Sequence, residues 1–132
     1  MTDDCLFCAI IAGAIPSRQV YADDSAIAFL DIQPWHRGHA LVVPRRHVAS
    51  IIDDPTVWGD VRTAVEHVVP LLVDRLGVAG LNVLASAGEV SGQEVMHFHV
   101  HLVPRYDDAP GLANLIGRDA TDLDSVWQQL TA

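Results

Sequence analysis

No stretch of the chain approaches the roughly 18 to 20 uninterrupted apolar residues that a membrane-spanning helix needs. The opening "MTDDCLFC" also places two acids where a secretory leader would carry bases. Together these absences argue against a membrane partner and against export, and the expected location is cytoplasmic. Bases are scarce too: eight Lys plus Arg stand against seventeen Asp plus Glu, a formal net charge of −9. A general nucleic-acid binder needs a basic surface to release counterions, so nucleic acid is not expected as a partner, and an anionic ligand would need a locally built pocket. Cysteine is limited to Cys5 and Cys8, three residues apart, a spacing that in a reducing compartment suggests metal or redox chemistry more than a structural disulfide. No internal repeat, low-complexity tract or linker is visible. The 132 residues, half of them apolar, are therefore expected to form one domain, 1–132, with a real core.

Along the chain, "AIIAGAIPSR" reads as a short helix closed by Gly13 and Pro16, and "QVYADDSAIAFLDI" as a hairpin around Ala22-Asp23-Asp24-Ser25. "HALVVPRRH" is a third strand ending near Pro44. From Asp54-Pro55 the period becomes helical, with Val57, Val61, Ala64, Val65, Val68, Leu72 and Leu76 on one face and Gly77 as the stop. Pro70, inside this one long helix, predicts a kink near residues 66–70. "GLNVLASAG" is a fourth strand, "EVSGQEV" a turn, and "MHFHVHLVPR" a fifth strand ended by Pro104. The expected class is α+β: a five-stranded antiparallel meander packed on one long helix, with short N- and C-terminal helices, the last around residues 121–130.

The fifth strand raises the functional question. Alternate residues of a strand project from one face, so His97, His99 and His101 form a row of imidazoles, while Phe98, Val100 and Leu102 face a core. "HFHVHLV" fits at every position the H-φ-H-φ-H-φ-φ signature of the histidine triad family of nucleotide hydrolases and transferases, which the chain resembles. The resemblance extends over "CLFCAIIAGAIPSRQVYADDSAIAFLDIQPWHRGHALVVPRRH" and "AGEVSGQ", from about residue 5 to 105, with a tail from 106 to 132 that matches nothing specific.

What the resemblance implies can be stated residue by residue. The middle histidine, His99, is the nucleophile that attacks the α-phosphorus and forms a covalent nucleotidyl-histidine. His101 and His39 orient the centre or donate hydrogen bonds toward the phosphate, and Gln93 belongs with this catalytic set. Gly88 and Gly92 allow backbone N–H groups to approach a phosphate. Asp31 receives the ribose hydroxyls, and Leu6, Phe7, Ile10, Phe29 and Ile32 sandwich a purine base. In zinc-bearing members the residues matching Cys5, Cys8, His47 and His97 bind one metal ion per chain; a Cys₂His₂ set has no open position, so this Zn²⁺ is structural.

Two positions depart from the family pattern: Ser86 stands where Asn is usual, and Glu94 where Ser or Thr is common. Both bear on leaving-group contacts and hence on substrate choice. His36 and His67 match no family ligand, Trp58 and Trp127 read as packing residues, and Trp35 as either a pocket lid or a surface anchor. The expected activity resembles that of purine nucleoside phosphoramidases, in a homodimer with the long helix at its interface. The alternatives are a dinucleoside polyphosphate hydrolase or phosphorylase, with Arg45, Arg46 and Arg105 supplying positive charge, and a nucleotide-binding module without turnover.

Overall fold

The computed structural model describes residues 4–132; Met1, Thr2 and Asp3, including the first acid of the N-terminal stretch, lie outside the described residues. The hairpin forms as the pattern predicts. β1 (Gln19–Ala22) and β2 (Ala26–Leu30) pair antiparallel. Their turn is held by the Asp23 carboxylate, which accepts from the N–H groups of Ser25 at 2.7 Å and Ala26 at 2.9 Å. β3 (Ala40–Pro44) pairs with β2 along its length.

After Asp54 caps a single 3₁₀ turn at Pro55–Val57, helix α2 runs from Trp58 to Leu76 and ends at Gly77, whose φ of 65° suits a residue without Cβ. Val57, Val61, Ala64, Val68 and Leu72 are wholly inaccessible and form one stripe against the sheet. The helix is unbroken through Pro70. Pro70 and Glu66 are both exposed, so the carbonyl that loses its donor is left to water.

The chain returns through β4 (Gly80–Leu84) and β5 (Val100–Arg105), and here the order departs from a simple meander. The sheet reads β1-β2-β3-β5-β4, so β5 inserts beside β3 and β4 takes the edge. β5 also starts four residues later than expected and continues through Pro104. The delayed start has a local cause: Phe98 N–H bonds Val48 O at 2.6 Å, and the side chains of His97 and His99 bond backbone carbonyls, so this segment joins no ladder. Pro104 is tolerated because β3 overlaps β5 only from Val42↔Val100 to Ala40↔Leu102. Beyond Leu102, β5 has only β4 beside it, and Pro44 lies symmetrically outside the overlap at the other end.

One face of the sheet (Ala28, Leu30, Val42, Val100, Leu102, with Phe98) packs on α2. The other face (Ile27, Phe29, Leu41, Val43) is covered by Phe7 from the short N-terminal helix α1 (Leu6–Ile11). The C-terminal helix α3 (Leu123–Thr131) packs on α2 and β1, and its Trp127 indole donates to Gln19 O at 3.0 Å. No helix among the described residues is long and apolar enough to cross a membrane.

Candidate active site and metal centre

The β2–β3 loop and the approach to β5 bring four imidazoles together, and their hydrogen bonds determine which nitrogen of each carries a proton. His99 Nδ1 lies 2.8 Å from the His97 carbonyl. A carbonyl only accepts, so Nδ1 carries the proton and Nε2 keeps its lone pair. That nitrogen has no partner among the described residues and is not sealed from solvent. A second chain runs the opposite way. Trp35 N–H donates to His39 Nδ1 at 3.0 Å, which leaves the proton on His39 Nε2; this donates to His101 Nδ1 at 2.9 Å, so the proton of a neutral His101 sits on Nε2. Adjacent imidazoles, with ring centroids 4.9 Å apart, thus offer one lone pair and one N–H donor.

Burial keeps these rings uncharged. It lowers the pKa of His99, pushes His39 down to about 4 with help from His36 and His99, and pushes His101 down to about 3 with help from His99 and His39.

The two histidines open onto a cavity of about 450 Å³, within the range of small-molecule sites. Leu6, Phe7, Ile10, Phe29, Asp31, Ile32, Ser86 and Gly92 all line it, whereas Gly88, also expected beside a phosphate, is off the wall with its N–H bonded to Gln93. Phe7 packs edge-on against both Phe29 and His99. Gln93 is placed differently. It is buried off the cavity, its carbonyl oxygen accepts from Gly88 N–H at 2.8 Å, and its amide donates to Ala49 O at 2.6 Å and Val95 O at 3.0 Å. Its donors are spent on Ala49 and Val95 and its oxygen holds the glycine loop at Gly88, an arrangement that suits positioning the loop.

Arg45, Arg46 and Arg105 are likewise absent from the cavity wall. Arg45 donates to Asp23 O, Arg46 is paired with Asp54 and Asp60, and Arg105 bonds Asn82 and the carbonyls of Ala109 and Gly111. The one arginine on the wall is Arg18, which lies 2.8 Å from Asp124.

Beyond His99 the chain gathers Cys5, Cys8, His47 and His97, with their donor atoms within 4.8 Å of one another. His97 Nε2 donates to Pro44 O at 2.8 Å, so its Nδ1 lone pair points into the cluster. His97 Nδ1 lies 3.2 Å from His47 Nδ1 and 3.5 Å from each sulfur, and His47 Nδ1 lies 3.4 Å from Cys8 Sγ. Zinc bonds of ordinary length give a tetrahedron with edges of about 3.3 Å between nitrogens and about 3.6 Å between nitrogen and sulfur. The donor set is thus compatible with zinc. A second compact group, Asp31, His39 and His101, is not equivalent, because the lone pairs of both its imidazoles already accept N–H bonds.

The family model described as the HIT domain matches residues 12–108, well over half of the chain. The chain belongs to the HIT family. A HIT relative named adenosine 5'-monophosphoramidase, from Saccharomyces cerevisiae, is 37% identical over 120 residues, covering 91% of this chain and 73% of that protein. An adenylylsulfatase of Arabidopsis thaliana is 31% identical over 134 aligned positions, covering 100% of this chain and 68% of that one. A Zn-bound histidine triad family protein from Mycobacterium smegmatis superposes with a TM-score of 0.84 at 29% identity, covering 97% of this chain and 91% of that chain.

Both departures from the HIT pattern, Ser86 and Glu94, stand on the cavity wall with His99. Glu94 is exposed and its charge acts on His99. A carboxylate at several ångströms from a bound phosphate costs about 1 kcal/mol in a water-like dielectric. Glu94→Ser is therefore expected to tighten AMP binding by about fivefold at low salt, with the gain shrinking as salt screens it; titration calorimetry at two ionic strengths would read this.

The buried imidazoles also set a pH dependence. His39 and His101 titrate near 6.5 when unfolded but at about 4 and about 3 when folded. The unfolded chain binds more protons across that window, so their contribution is complete above about pH 6.5 and declines as the pH falls. Between pH 7.5 and 5.0 each should cost about 2 kcal/mol of stability. Urea unfolding at the two pH values measures the slope, and replacing both residues by Asn should remove their share of it.

Trp35 is what the sequence did not assign to a side. Its ring stacks on His101 at 4.9 Å and 9°, and its backbone N–H orders the His39–His101 pair. His67, which matches no family ligand, stacks on Tyr21, and Trp58, read as a packing residue, packs edge-on against Phe98.

Proposed function

We propose that this HIT protein hydrolyses a phosphoramidate, or a related conjugate, of a purine nucleoside monophosphate through His99. The observation that carries this reading is the pair of opposed tautomers, a free lone pair on His99 Nε2 beside an N–H on His101 Nε2. In this reading His99 Nε2 attacks the α-phosphorus while the bond from phosphorus to the leaving amine breaks, and the amine takes a proton from solvent water. The cation that forms on His99 is held through Nδ1–H by the His97 carbonyl. His101 Nε2–H donates to the phosphoryl group, Asp31 receives the ribose hydroxyls, and Leu6, Phe7, Ile10, Phe29 and Ile32 enclose the base. Water then attacks phosphorus, the P–N bond to His99 breaks, and nucleoside monophosphate leaves.

Cys5, Cys8, His47 and His97 would hold one zinc ion, which as a closed Cys₂His₂ site supplies structure and no reacting group. The named activities of the yeast and Arabidopsis relatives, a monophosphoramidase and an adenylylsulfatase, support cleavage beside an adenylyl phosphate. The dinucleoside polyphosphate alternative is less well supported, because none of the three arginines assigned to a longer phosphate chain reaches the cavity. A homodimer, and a cytoplasmic setting, belong to the same reading, the former to be checked by light scattering.

The test is intact-protein mass spectrometry after brief mixing with adenosine 5'-phosphoramidate or with diadenosine polyphosphates, quenched without acid. The expected result is an adenylyl adduct, favouring the phosphoramidate. Absence of both adduct and AMP with either substrate would point to the binding module instead.

A further inference from the structure

The HIT match ends at residue 108, yet the chain beyond it packs directly on the loop that orders the catalytic imidazoles. Three successive residues of that loop are engaged. Asp119 N–H donates to Pro34 O at 3.1 Å, and His36 Nε2–H donates to Asn114 O at 2.8 Å. Between them, Gly117 lies so close to the Trp35 peptide that a Cβ there would come within 3.0 Å of the Trp35 carbonyl oxygen and 3.9 Å of the His36 ring.

The segment is fixed at both ends. Upstream, the buried Arg105 guanidinium donates to Ala109 O at 2.7 Å and Gly111 O at 2.8 Å. Downstream, α3 is held by Arg18 to Asp124 at 2.8 Å and by Arg75 to Ala132 O at 2.6 Å. A strap tied at two ends and touching three consecutive residues restricts rotation of the peptides between them.

One of those peptides carries the N–H that points at His39 Nδ1. If it turned away, neither nitrogen of His39 would be favoured as the donor, and His101 would lose the partner that keeps its proton on Nε2. We propose that the C-terminal segment Asn114 to Asp119 is a clamp on the Trp35 peptide, and that Asn114 and Gly117 are positioning residues for the hydrogen-bond chain ending at His101. The clamp lies beyond the residues that the HIT domain model matches. Its effect on turnover rests on the reading of His101 as the phosphoryl donor.

The test uses the full chain carrying Gly117→Val or His36→Ala. Imidazole ¹⁵N NMR of the ligand-free protein should show one tautomer each for His39 and His101 in the parent, both protonated at Nε2, and mixtures in either variant. Turnover of adenosine 5'-phosphoramidate should fall about tenfold in kcat with KM nearly unchanged, as expected for a misplaced donor. His36→Gln, whose amide nitrogen reaches where Nε2 lay, should restore both readouts. Single, parent-like tautomers in both variants would overturn the clamp, as would a parent His39 protonated at Nδ1. Shifted tautomers with unchanged kcat would uphold the clamp and overturn the role given to His101. Because His36 sits at the protein surface, its variants keep the test valid should Gly117→Val fail to fold.

Discussion

Replacing His99 by Asn is expected to reduce kcat by about 10⁴-fold or more while leaving AMP affinity within about threefold. The amide nitrogen of Asn can still donate to the His97 carbonyl, as His99 Nδ1 does at 2.8 Å, so the local backbone keeps its partner. What is lost is the Nε2 lone pair facing the cavity, for which Asn has no substitute. The walls formed by Phe29 and Asp31 are untouched and Phe7 keeps its packing on Phe29, which is why binding should persist. Steady-state turnover, calorimetric AMP titration and a search for the adenylyl adduct are the three measurements. Retention of a tenth of parental kcat would remove His99 from the mechanism, whichever substrate is used.

Stripping the metal should have the largest effect on stability. Elemental analysis is expected to find about one zinc per chain, and a strong chelator or Cys8→Ser should lower Tm by about 10 °C or more. The reason lies in α1. It is six residues long, far below the length at which an isolated helix holds together, and two of the four candidate ligands sit at its start: Cys5 as the N-cap and Cys8 within it. Its remaining anchor is largely Phe7, packed against Phe29 and His99. Loss of the ion leaves a partly buried cluster of two thiols and two imidazoles at separations that suit a cation, and burial already raises the Cys5 thiol above its usual pKa. Since Leu6, Phe7 and Ile10 form one wall of the cavity, weaker AMP binding should accompany the fall in Tm. A chain that purifies without metal and melts at the same temperature in chelator would refute the metal site.

Much of the architecture was legible because its signals are local. The α2 stripe follows from helical spacing, the hairpin from Asp23 and Ser25, and the stop of α2 from Gly77. The place of β5 was not legible. Inserting β5 between β3 and β4 depends on how α2 carries the chain across the sheet, and no short-range pattern encodes that pairing. Pro104 misleads for the same reason: it looks like a terminator until the limited overlap of β3 with β5 is known.

The site divides along the same line. The row His97, His99 and His101 and the Cys5–Cys8 pair stood out in the sequence by type and spacing, and Asp31 through the family resemblance. Gln93 is singled out by the resemblance, but only the fold shows its amide nitrogen bonded to Ala49 and Val95 and its oxygen to Gly88. By itself, then, the sequence determined most of the elements and the row of three histidines, which follow from periodicity and residue chemistry, while its resemblance to the family pointed to the residues that meet at the cavity. Only the tertiary structure decided which imidazole nitrogen holds each proton. That depends on the partner each ring meets, the His97 carbonyl for His99 and the Trp35 N–H for His39, and the loop that carries Trp35 meets the C-terminal segment only after the chain has folded back upon itself.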